Sequence, residues 1–157
     1  QPQKLQCLLF LSQAYYSVAF EGLKLMPSVF VADERGPLEP NVYLAFSKGR
    51  PDIDANLFLP AEVESFLTAI WQRFGHVSTD KIVKMTKGTH AYKNARRRGH
   101  RAEIFLNEMR VSFIRAENTP GINQVVKPKL YRTQSGKNVT VKRWVPGIRP
   151  SSGSTKN

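Results

Sequence analysis

The sequence predicts an all-α fold: a compact multi-helix bundle followed by a basic, mostly non-helical C-terminal extension able to form a β-hairpin. Three observations lead there. Apolar residues fall on nearly every face of a helix over Leu5–Phe20, and others recur at steps of three and four from Val63 to Phe74. Strand-like alternation is weak through residues 1 to 118, and the composition changes abruptly near Thr119.

Each element has its own signal. In the first helix Leu5, Leu8, Leu9, Tyr15, Tyr16 and Ala19 lie on one side and Phe10, Leu11, Ala14 and Val18 on another, as in a helix surrounded by others. Gly22 ends it and Pro27 prevents a long continuation. Gln6, Ser12, Gln13 and Ser17 interrupt the apolar run, which is too short and too polar for a spanning helix or a signal peptide, so no membrane association is expected. Ser28–Ala32 is a short apolar stretch leading into Arg35–Pro40, where two prolines and a glycine predict a turn, and a short helix follows Pro40 through Val42, Tyr43 and Phe46. The clearest helix starts at Pro60. Glu62 and Glu64 suit its positive N-terminal dipole, and Val63, Phe66, Leu67, Ile70, Trp71 and Phe74 form one broad apolar face before Gly75. Ser78 is placed to cap a helix carrying Ile82, Val83 and Met85, another runs from Thr89 through Arg98, and Asn107 is placed to cap a last one with Met109, Val111, Phe113 and Ile114.

The chain has 157 residues, 41% hydrophobic and 23% charged, enough to bury one core and too little for two large catalytic domains. Its formal charge of +12 is unevenly spread. Residues 1–118 hold 16 Lys or Arg and 12 acids, a net +4, whereas residues 119–157 hold 8 basic residues and no acid, a net +8. Two domains follow, a helical one over 1–118 and a basic extension containing Pro and Gly over 119–157. Such a balance favours an anionic surface or an acidic protein as partner. Cys7 is the only cysteine, which excludes an intrachain disulfide and a cysteine-based zinc site and points to the cytoplasm.

Catalytic chemistry is not expected. His76, His90 and His100 lie in no nucleophile or metal motif, no phosphate-cradling glycine loop and no nucleophile elbow is found, and Cys7 sits in the most apolar helix, where burial raises a thiol pKa. No catalytic residue, metal or cofactor is assigned. The strongest charge feature is Lys93, Arg96, Arg97, Arg98 and Arg101. On a continuous helix positions 93, 96, 97 and 101 share a face, and no acid lies between Asp80 and Glu103 to neutralise it. That face suits phosphates or acidic side chains as well as a solvated surface. In the extension, Leu130–Thr133 and Val139–Val145 flank Gly136 as the arms of a hairpin, with Lys142, Arg143 and Trp144 as a second basic site that could stack on a nucleic acid strand or seat Trp144 in a protein pocket.

Taken in order, these motifs resemble the SocA-like or Panacea-domain family of phage-associated antitoxins. The opening helix of that family reads approximately K-L-Q-K-L-L-Y-F-A-Q-A-Y, and here stand Lys4, Leu5, Gln6, Cys7, Leu8, Leu9, Phe10, Leu11, Ser12, Gln13, Ala14 and Tyr15. The family's G-P turn and following V-Y-x-x-F helix are similar to Gly36, Pro37, Leu38 and then Val42, Tyr43 and Phe46. An aromatic-Gly pair followed by Ser is matched by Phe74, Gly75 and Ser78, and a final isoleucine and helix by Ile104 through Phe113. The likeness covers about residues 4–115. The chain departs from the pattern at Thr86–Lys87, at Ala91–Tyr92 and at Asp33–Arg35, and the extension has no counterpart in it. The resemblance implies a non-catalytic protein-binding module that neutralises a cognate protein toxin, in the founding case also acting as an adaptor to an AAA+ protease. The rival expectation is a basic nucleic-acid-binding or phage and mobile-element interaction protein using the arginine cluster and the tail.

Overall fold

The computed structural model describes residues 1–54, 58–127, 130–132, 136 and 138–140. Along the chain run α1 (Pro2–Ala19), β1 (Phe30–Asp33), β2 (Gly36–Leu38), α2 (Pro40–Ala45), α3 (Ala61–Phe74), α4 (Thr79–Gly88), α5 (His90–Arg98), β3 (Glu103–Ile104), α6 (Leu106–Ile114), α7 (Ile122–Val125), β4 (Leu130–Arg132) and β5 (Asn138–Thr140). Two units result, Gln1–Lys127 and Pro128–Asn157. The composition shift at Thr119 lies inside the first, because Val125 is buried in its core and the Tyr15 hydroxyl donates to the Pro120 carbonyl at 2.7 Å.

Helix α1 is the hub of the first unit, consistent with its apolar residues on every side. Phe10 meets Phe30 and Phe113 edge-on at 5.6 and 5.9 Å, and Tyr15 lies 4.8 Å from Phe113 and 5.8 Å from Phe74. Four elements thus share one aromatic core, where ring pairs of this geometry add to what area burial contributes. The polar residues of α1 serve the backbone of its neighbours. Lys4 donates to the Gly75 carbonyl at the end of α3 (2.6 Å), Gln6 exchanges bonds with the Glu39 main chain (2.7 and 3.3 Å), and Gln13 holds the main chain of Leu25 and Met26.

The fold is mostly helical, and the all-α expectation is corrected by a small antiparallel sheet of order β2-β1-β3. Phe30 and Ala32 are buried while Val31 and Asp33 are not, a period-two pattern too short to stand out in a sequence. Its outer neighbour β3 is two residues long and pairs Ile104 with Phe30 from 74 positions away. The reversal expected over Arg35–Pro40 occurs one step earlier, at Glu34–Arg35, since Asp33 pairs with Gly36. Gly36 and Pro37 are therefore strand residues. Pro37 is tolerated because β2 is an edge strand, and Gly36 adopts φ +134°, open to glycine alone at low strain.

The helices differ from expectation in detail. Glu39 caps α2, its Oε2 accepting from the Val42 N–H at 2.6 Å, and Thr89 caps α5 through the Tyr92 N–H. Ser78 occupies the cap position of α4 without a capping side-chain bond, and α6 begins at Leu106, so Asn107 lies inside it. The second unit pairs β4 with β5 antiparallel, Tyr131 opposite Val139, so a hairpin is present there.

Candidate functional site

Helix α5 buries Ala91, Tyr92 and Ala95, which turns Lys93 and Arg97 outward and places Arg96 and Arg98 on opposite flanks. The flanks have different fates. The Tyr92 hydroxyl donates to the Asp33 carbonyl and Arg96 approaches the Ala32 carbonyl at 3.4 Å, so this side of α5 meets the β1–β2 hairpin. Arg98 turns the other way, forks onto both Glu108 oxygens at 2.8 and 2.9 Å, donates to the Glu103 carbonyl and lies over the Phe105 ring. Its bonds hold the Glu108 carboxyl below the usual carboxylate range.

Arg101 does not share a face with Lys93, Arg96 and Arg97, as a continuous helix would require. The helix stops at Arg98, Gly99 takes φ +149° and Arg101 itself takes φ +51°. From there its Nε bonds Asp33 Oδ1 at 2.7 Å. Partial burial pushes the Asp33 carboxyl up, but the bonds from Arg101 and the Arg35 N–H outweigh it and hold the group low. The local run free of acids is thus neutralised in part from a distance, by Asp33 and Glu108. Two of the five cations are paired, while Lys93, Arg96 and Arg97 form no salt bridge among the described residues.

Further cations lie outside the Lys93–Arg101 run. Helix α4 buries Ile82 and Thr86 and turns Lys81, Lys84 and Lys87 to its exposed side. Lys87 Nζ donates to the Glu34 carbonyl at 2.9 Å, which brings α4 to the same hairpin tip that α5 reaches through Tyr92 and Arg96. The step-of-three spacing of these lysines was the available signal.

Gly36 and Pro37 border a cleft of about 360 Å³, together with Gln6, Asp33, Tyr43 and Arg101. His100 also reaches it. Cys7 lies behind Gly36. Its side chain is almost wholly buried, and that burial pushes the thiol up to about 11 against the opposing effect of Thr86 at 3.6 Å. Among the described residues no three His, Cys, Asp or Glu side chains converge as metal ligands. Lys142, Arg143 and Trp144 lie outside the described residues.

Among the described residues exposed large apolar side chains occur before β1 (Leu23, Val29), on α3 (Trp71), at and along α6 (Phe105, Val111, Ile114) and in a run of five in and after α2. Helix α2 buries none of its residues, Tyr43 and Leu44 are 51% and 66% exposed, and Ile53, Phe58 and Leu59 follow at half exposure or more. Trp71, expected on the inner face of α3, is instead 63% exposed, while Phe66, Ile70 and Phe74 supply that face. No helix among the described residues is long and apolar enough to cross a membrane. Compared with family models, curated proteins and solved structures, the chain matches none of them.

Proposed function

We propose that this chain is an antitoxin-like module of the SocA-like type, which binds a cognate protein toxin and neutralises it without catalysis. The observation that carries this reading is the exposure of Tyr43, Leu44, Ile53, Phe58 and Leu59, in and after α2. A folded chain rarely leaves Tyr43, Leu44, Ile53, Phe58 and Leu59 all in water along so short a segment unless a partner covers them. Support also comes from what α1 does: the residues that carry the resemblance, Lys4, Gln6, Gln13 and Tyr15, pin the main chain of four other segments. They constitute a scaffold, and the binding residues are to be sought elsewhere.

The reading includes delivery of the bound toxin to an AAA+ protease and a cytoplasmic site of action, which suits a lone buried thiol. The test is genetic and then biophysical. A neighbouring reading frame should arrest growth when expressed alone and be rescued by this chain, and Leu44→Asp with Phe58→Asp should abolish rescue and weaken the purified complex at least thirtyfold, as loss of a central anchor costs about 2 kcal/mol. Rescue that survives both substitutions removes the segment from the interface, and absence of any protein the chain neutralises removes the function.

A further inference from the structure

Helices α4 and α5 and the tip of the β1–β2 hairpin carry a second surface of different character. Lys81, Lys84 and Lys87 project from α4, Lys93, Arg96 and Arg97 from α5, and Arg35 from the hairpin tip, all exposed. The bonds from Lys87, Tyr92 and Arg96 to Glu34, Asp33 and Ala32 gather the three elements in one place. From Lys81 to Ala102 the chain has no acid. The carboxylates that do face this region are Asp33, occupied by Arg101, and the side chains of Glu34 and Asp80 at its margins, two acids against seven cations.

We infer that this face binds the phosphate backbone of nucleic acid. An acidic protein is the obvious competitor, and the apolar content of the face decides between them. Protein interfaces are built around desolvated aromatic or aliphatic anchors and are depleted of charge at the centre. Between Gln72 and Ile104 no large apolar side chain is exposed; the exposed ones nearest the face stand at its margins, Phe105 under Arg98 and Tyr43 in the cleft it shares with Arg35, and Leu44, Phe58 and Trp71 belong to other elements. A surface of lysine and arginine without anchors gains its affinity from displaced counterions, which is how proteins hold a phosphate backbone regardless of base sequence. Arg98 and Arg101, fixed on Glu108 and Asp33, frame the face rather than contribute to it.

The experiment is fluorescence anisotropy of the full chain with a labelled duplex of about 25 base pairs, and with a single strand of the same length, between about 50 and 200 mM salt. With six contacts the affinity should fall roughly a thousandfold over that range. Two triple variants, Lys81→Ala/Lys84→Ala/Lys87→Ala and Lys93→Ala/Arg96→Ala/Arg97→Ala, should each bind at least tenfold more weakly and lower the slope of log affinity against log salt by about 2.7. Circular dichroism confirms that each variant folds. The seven Lys and Arg residues beyond Lys127 are common to all three proteins, so the differences belong to the face alone. Unchanged affinity and slope in both variants overturns the inference, as does the absence of binding. Binding of polyglutamate without binding of nucleic acid also overturns it and assigns the face to an acidic protein.

Discussion

Gln13 pairs with Met26 as one strand residue pairs with another: its Nε2 donates to the Met26 carbonyl at 2.9 Å and its Oε1 accepts the Met26 N–H at 3.1 Å. The same oxygen accepts the Leu25 N–H at 2.9 Å, so one buried side chain satisfies three main-chain groups of the loop that leads into β1.

Gln13→Leu keeps the volume of the side chain and strands those groups. Each buried polar group left without a partner costs about 1–3 kcal/mol, so the variant should lose about 3 kcal/mol. Urea unfolding should show a lower midpoint with an unchanged slope. A loss below 1 kcal/mol would mean that water replaces the amide and the pairing is dispensable.

Gly36→Ala introduces no contact closer than 3.9 Å, to Cys7 Sγ and Val83 Cγ1, so crowding is not the difficulty. The backbone at φ +134° is. The substitution should cost about 1–2 kcal/mol, again read from the urea midpoint, and a Gly99→Ala control at φ +149° should behave in the same way if conformation alone is responsible.

Acid should destabilise the fold through Asp33 and Glu108. Both carboxyls titrate lower in the folded chain than in the unfolded one, so their stabilisation is complete above the ordinary carboxylate range and is lost as pH falls through the lowered folded values. The melting temperature should be flat from neutral pH to about 5 and fall below about 4. Asp33→Asn should start lower at neutral pH and show a shallower fall, whereas an identical acid profile would show that Asp33 carries none of it.

The Cys7 thiol should resist modification. With its pKa raised to about 11 and its side chain almost wholly buried, an aromatic disulfide reagent at pH 8 should react with it only when denaturant is added. Rapid labelling of the native chain would contradict the packing of α1 against α4.

Legibility in the sequence followed the range of the interactions. Helix α3 could be read from its own spacing, and α2 from Pro40 and the apolar residues after it, because both depend on neighbours three or four positions away. The sheet could not, since β1 finds its second partner in two residues near the far end of the domain. Trp71 had the right spacing for the inner face of α3 and was still excluded, because Phe66, Ile70 and Phe74 already fill the side toward α1. The arginine cluster was visible as a run of charge. Its division was not: Asp33 lies 68 positions before Arg101, and the end of the helix at Arg98 directs the last arginine away from the others. The lysines of α4 became part of the same surface only through the hairpin that Lys87 and Tyr92 hold between them.

The central position of β1 bears on how the chain is made. Synthesis proceeds from the N-terminus, so α1 and the β1–β2 hairpin emerge long before Glu103 and Ile104. Throughout that interval one edge of β1 is unpaired beside Phe30, which awaits the cover of Ile104 and of Phe113 behind Phe10. A ribosome that stalls, or a message cut short, before these residues releases a polypeptide with an open strand edge and an incomplete aromatic core. Such fragments should be cleared or should aggregate, and the cell's supply of this protein would then depend on synthesis reaching Phe113.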